Sequence, residues 1–137
     1  MPEEGDPRYE QPSQGEEQRE SWPVHFLKSA GYSLEGLGAA WKHEMAFRME
    51  VAALCILAPM ALLVPVGLLF KALVLSSMLL VLAVELLNSA MEWAVDYISH
   101  DRHPYAKTAK DMGSAAVFVS LINAGLMWGL LIWEWIG

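Results

Sequence analysis

The chain is 137 residues long, enough for one domain, and 55% of it is apolar, a high share for a water-soluble domain of this size. Nine basic against 16 acidic side chains give a net charge of −7, and there is no basic, aromatic-interleaved surface of the kind that binds nucleic acid. The lone Cys55 excludes an internal disulfide and, set in an apolar run, is expected to be an inert buried thiol.

Residues 1–21 contain PEEGDPRYEQPSQGEEQRES, which carries most of the acidic excess and almost no aliphatic side chains. Such a segment cannot bury enough surface to offset its ordering entropy and is expected to be a disordered tail. No secretory signal is expected, because the apolar segments start late, lack a small-residue cleavage pattern and are too long for an h-region. Residues 22–137 then form one membrane domain. Its first element, about 22–44, has Val24, Leu27, Ala30 and Leu34 at helical spacing, with Lys28 and Glu35 off that stripe. This pattern suits an amphipathic helix lying on the membrane surface, although Gly31, Gly36 and Gly38 weaken a single unbroken helix.

Three stretches of about 20 apolar residues follow, each long enough to span a bilayer. The first covers about 48–70, uncharged from Val51 to Phe70, with Pro59 and Pro65 suggesting a kink or an early end. The second covers about 72–98. The third covers about 110–134, is uncharged from Met112 to Trp133, and has Trp128, Trp133 and Trp135 toward its end as an interfacial aromatic belt. Lys28, Lys42 and Arg48 precede the first span, and Arg102, Lys107 and Lys110 fall between the second and third. Only Lys71 lies in the first turn and no lysine or arginine follows the last span, so the N-terminus and the 99–110 loop are expected in the cytoplasm and the C-terminus outside.

The second span contains VELLNSAMEWAVD, with Glu85, Asn88, Glu92 and Asp96 in a helix that should avoid them. Glu92 and Asp96 stand seven and eleven residues after Glu85, which brings both back to within about 20° of its direction on a helical wheel. Asn88 and Ser89 flank that line, and Leu79, Leu86, Ala90 and Trp93 are expected to oppose it. A charge at the bilayer centre costs roughly 2.5–3.5 kcal/mol on insertion scales, so a stripe of three acids points to a functional, protein-facing role ahead of a structural polar seam between helices. Glu85 and Glu92 are separated by about 10 Å of helix rise, so they have different tasks. A shallow carboxylate suits a hydrated cation such as Mg²⁺, and a deeper, desolvated one suits taking a proton from a lipid hydroxyl.

Further polar groups are expected on the same side. Glu44, Arg48 and Glu50 stand at the entry to the first span, with Glu44 and Arg48 related by helical spacing. The loop SHDRHPYAKTAKD supplies His100, His103, Lys107, Lys110 and Asp111, of which His100, His103 and Lys107 read as solvated loop residues. Lys110 near a helix start is not compensation of the macrodipole, and a bound phosphate explains it better. Acids for Mg²⁺ and a lysine for phosphate are the minimum equipment for phosphoryl transfer. No P-loop or kinase glycine-rich loop appears. Three spans are few to enclose a polar stripe, so self-association is expected, with Gly125 and Gly129 as a small-xxx-small pair.

AGYSLEGLGAAWKHEMAFRME, VELLNSAMEWAVD and AKDMGSAAV, in this order and spacing, resemble the small bacterial integral-membrane diacylglycerol kinases, and the similarity runs from Trp22 to Gly137. The resemblance implies an all-α integral membrane fold, a surface helix plus three transmembrane helices, assembled as a homotrimer with shared active sites. It implies transfer of the ATP γ-phosphate to diacylglycerol with Mg²⁺ at the inner membrane, giving phosphatidic acid in phospholipid turnover. On matched positions Glu85 would be the general base, and Glu44 and Glu92 would hold the metal on the nucleotide. Lys110 would contact the phosphates, with Tyr32, Ser33, Asp101, His103 and Asp111 also near the nucleotide. Arg48, Glu50, Asn88 and Ser114 would contact lipid or shape its site, with Asp96 in support. Two positions depart: His25 stands where well-known members have an arginine near the nucleotide, and Met49 where glutamine is common.

Two other readings fit parts of the pattern. An undecaprenol kinase would share the E-L-L-N core and A-K-D, but AFRME and KDMGSAAV resemble the diacylglycerol branch more. A non-enzymatic proton or cation carrier would use the Glu85–Asp96 stripe, but Lys110, the Glu44 cluster and the lack of inverted repeats speak against it.

Overall fold

A computed structural model describes residues 22–98 and 103–137. The expected tail at 1–21 and the loop positions His100, Asp101 and Arg102 lie outside the described residues. The described chain is helical: α1 is Trp22–His43, α2 Met45–Leu63, α3 Leu68–Ile98 and α4 Pro104–Ile136. It divides into two compact units, one ending at Gly36 and the other running from Leu37 to Gly137. The three glycines of α1 do not interrupt its helix.

Glu44 is the one residue between α1 and α2, with extended backbone at φ −103° and ψ 112°. Arg48 secures this joint by donating from Nη1 to the carbonyls of Trp41 (3.0 Å) and Lys42 (3.4 Å), two of the carbonyls that the end of α1 leaves without helical partners. Arg48 therefore serves the preceding helix end rather than pairing with Glu44.

The first span carries Pro59 within the helix and stops at Leu63, short of the expected Phe70. Pro65 is the cause: it lacks an N–H and holds Val64 extended, at φ −64° and ψ 132°. Lys71 Nζ then donates to the Leu62 carbonyl at 2.6 Å, so the only cation of this turn caps α2. At the other loop, α4 begins at Pro104, earlier than expected, with proline in its first turn and His103 as N-cap.

α2, α3 and α4 are each long and apolar enough to cross a membrane. The 19 residues of α2 give about 28 Å, close to the hydrocarbon thickness, whereas the 31 and 33 residues of α3 and α4 exceed it. α3 packs chiefly on α4 and less extensively on α2. Ala61, Val74, Met78 and Leu131 form the core, from the end of α2, the start of α3 and the end of α4. Leu79, Leu87, Phe118 and Leu126 are exposed on this single chain, as suits lipid or another copy. Cys55 is also exposed, against expectation, because apolar neighbours in a membrane helix face lipid as readily as protein.

Candidate active site

The acid stripe of α3 extends the line along which that helix packs. Its buried residues are Val74, Ser77, Met78, Val81, Glu85 and Ser89, one face repeated at three- and four-residue steps. Glu85 is 5% exposed, Asn88 and Glu92 are half-buried and Asp96 is exposed, so burial falls in order along the stripe. Glu85 lies within electrostatic reach of Glu44, Glu50 and Glu92, and four carboxylates from the head of α2 and the centre of α3 thus share one region.

Side-chain contacts tie this region together. Asn88 Nδ2 donates to Glu92 Oε1 at 3.4 Å, one turn apart on α3. Asn88 Oδ1 is buried with no hydrogen-bond partner. α4 approaches closely here because Gly113 lacks a side chain: a Cβ at that position would overlap Asn88 Oδ1 and Met91 Cε. Trp93 Nε1 donates to Glu44 Oε1 at 2.8 Å across the α2–α3 contact, and His43 meets the Trp93 ring edge-on at 5.5 Å.

Lys110 Nζ pairs with Asp96 Oδ1 at 2.6 Å, joining α4 to α3. It stands nearly two turns inside α4 rather than at the helix start, and Asp96 already compensates its charge, so the macrodipole argument for a bound phosphate falls. Lys107 is helical rather than in a loop and pairs with Asp111 at 2.5 Å along α4. His103 accepts from Tyr105 N through Nδ1 at 3.2 Å and caps α4. Ser114 is exposed on α4. His25, Tyr32 and Ser33 lie on α1 in the unit ending at Gly36, where Ser33 donates its hydroxyl to the Ser29 carbonyl at 3.0 Å. Asp101 is outside the described residues.

A cavity of about 220 Å³ opens between α2, α3 and α4, lined by Glu50, Leu57, Met78, Val81, Leu121 and Trp128 among others. It is apolar except for two groups, and these are buried and unpartnered: Glu50 Oε2, an acceptor, and Trp128 Nε1, a donor. Such orphaned atoms are costly without a partner, so this cavity suits a largely apolar molecule with a few polar atoms.

Two residues of this region escaped the sequence reading. Trp93 was expected opposite the acids, yet eight residues after Glu85 is only about 80° round the helix, which puts it on the flank of the stripe. Trp128 reads as a belt residue by composition, while its indole N–H is buried and the residue lines the cavity between the helices. Only its distance from the helix end, farther than Trp133 and Trp135, could have signalled this.

The donor set suits a hard cation. Among the described residues no three His, Cys, Asp or Glu side chains form a ready-made metal centre. Glu44 and Glu92 are half-buried and each receives one hydrogen bond, at Oε1. Two carboxylates of this kind fit Mg²⁺, which keeps waters and completes its shell with phosphate oxygens.

The profile of a family described as prokaryotic diacylglycerol kinase matches residues 31–132, a span that contains every carboxylate of the cluster. The chain belongs to this family. It is 44% identical over 114 residues to the diacylglycerol kinase of Escherichia coli K12, covering 83% of this chain and 93% of that one. The diacylglycerol kinase of Haemophilus influenzae is 45% identical over 106 residues, 77% of this chain and 90% of the relative. That of Pseudomonas aeruginosa is 47% identical over 107 residues, 78% and 87% respectively. Membership makes the chain a membrane lipid kinase, which sets aside the non-enzymatic carrier.

Proposed function

We propose that this chain transfers the γ-phosphate of ATP to the free hydroxyl of diacylglycerol, giving phosphatidic acid at the cytoplasmic face of the bacterial inner membrane, in phospholipid turnover. The names and near full-length similarity of the relatives support the substrate. The observation that carries the chemistry is the burial of Glu85 within electrostatic reach of Glu44, Glu50 and Glu92. A carboxylate shielded from water, in a helix otherwise made for lipid, is suited to take a proton from a hydroxyl that arrives through the bilayer.

In this reading Glu85 takes the hydroxyl proton as the lipid oxygen bonds to the γ-phosphorus. The bond from that phosphorus to the bridging oxygen breaks, and ADP leaves. Glu44 and Glu92 would hold Mg²⁺, which would supply neutralisation of phosphate charge. Lys110 turns from Asp96 to the phosphates, with His103 and Asp111 on the nucleotide side, and the family resemblance alone assigns His25, Tyr32, Ser33 and Asp101 to the nucleotide. Arg48, Asn88 and Ser114 shape the lipid side, where Glu50 and Trp128 offer an acceptor and a donor to the glycerol ester region in an apolar cavity. The chain assembles as a homotrimer with shared sites, in which copies and lipid together cover the apolar faces of the three spans. α1 lies on the membrane surface, the N-terminus is cytoplasmic and the C-terminus is outside.

The test is incubation of the purified protein, in lipid or detergent, with Mg²⁺, labelled ATP and either diacylglycerol or undecaprenol. Label in phosphatidic acid is the expected result. Label in undecaprenyl phosphate alone would reassign the substrate, and label in neither lipid would overturn the proposal.

A further inference from the structure

We infer that Trp93 is a positioning residue for Glu44, an inference that rests on Glu44 and Glu92 holding the metal on the nucleotide. Glu44 is the single non-helical residue between α1 and α2, and although it occupies the N-cap position of α2 its side chain makes no capping hydrogen bond. Nothing in its own helix fixes that carboxylate. The fixing contact comes from α3, where Trp93 Nε1 donates to Glu44 Oε1 at 2.8 Å. Trp93 directly follows Glu92, so one short stretch of α3 carries both the second carboxylate and the group that orients the first.

The chemistry of the donor matters. An indole N–H is neutral and cannot accept, so it occupies one lone pair of Oε1 and leaves the carboxylate charge intact for a cation. A lysine or arginine at this position would orient Glu44 but compete with the metal for its charge. The indole is itself restrained, with only two side-chain torsions and with His43 edge-on to its ring at 5.5 Å and 72°. This restraint counts because Trp93 is 50% exposed and is not otherwise held by a packed core. Hydrogen bonds that orient metal ligands typically change metal affinity by 10–100-fold when removed.

The experiment replaces Trp93 with phenylalanine (W93F) and, site-specifically, with benzothienylalanine, which keeps the bicyclic shape and loses only the N–H. Mn²⁺ binding in the presence of ADP is read by electron paramagnetic resonance on the full-length protein in detergent, without turnover. Both replacements are expected to weaken Mn²⁺ binding by about tenfold or more. KM for MgATP rises with them, while KM for the lipid stays as in the wild type and Trp135→Phe changes neither. Wild-type Mn²⁺ affinity in both replacements would overturn the inference. Weakening by phenylalanine alone would overturn it too, because ring packing rather than the N–H would then hold Glu44. A wild-type protein that phosphorylates no lipid and binds no Mn²⁺ with nucleotide would instead overturn the kinase site on which the inference rests.

Discussion

Lys110 and Asp96 pair across the α3–α4 contact, with Nζ 2.6 Å from Oδ1. The pair is partly solvated, so its contribution to stability is about 1 kcal/mol or less. In the proposed reaction Asp96, at the outer end of the acid stripe, is the resting partner of the lysine. Lys110→Met is expected to weaken nucleotide binding by about 1.5–3 kcal/mol, roughly 10- to 150-fold, as loss of a charged hydrogen-bond donor does. Asp96→Asn is expected to leave nucleotide affinity unchanged or tighter, because Lys110 then has no competing carboxylate. Equilibrium binding of a fluorescent ATP analogue to the two variants checks both directions.

Gly113 makes a different kind of prediction. Its missing Cβ is the reason α4 can lie against Asn88 and Met91. Gly113→Ala forces both side chains to move and is expected to destabilise the protein by about 1–3 kcal/mol, as overpacking does. Gly31→Ala, where nothing lies within 4 Å, is expected to gain up to about 1 kcal/mol from helix propensity alone. Denaturant unfolding in detergent micelles measures both.

Much of this arrangement is written in the sequence, for reasons that differ along the chain. Apolar length and the wheel positions of Glu85, Glu92 and Asp96 are local properties, and each of the three spans corresponds to a helix. Pro65 signalled a kink or an early end of α2, since its effect on Val64 is local, but not which of the two. What depends on contact between helices was not legible. Lys110 could not be seen to pair with Asp96, fourteen residues away, nor Glu44 with Trp93, forty-nine away. The exposure of Cys55 was hidden for a related reason: in lipid, apolar composition does not separate inward from outward faces.

Glu50 and Trp128 face one cavity with unmatched acceptor and donor. Glu50→Gln and Trp128→Phe are each expected to raise KM for diacylglycerol by about five- to a hundredfold, the range for leaving one polar partner without its mate. KM for MgATP is expected to stay constant in both. A change confined to MgATP would move the cavity from the lipid side to the nucleotide side.

The most direct test of the account is Glu85→Gln, measured for turnover and for nucleotide binding on the same preparation. The substitution preserves shape and removes one negative charge from a crowd of four carboxylates, so the fold is expected to be no less stable. Turnover is expected to fall by about 10²–10⁴, the usual contribution of general base catalysis, with ADP and Mn²⁺ binding retained. Turnover near the wild-type rate would contradict the assignment of Glu85 as the base.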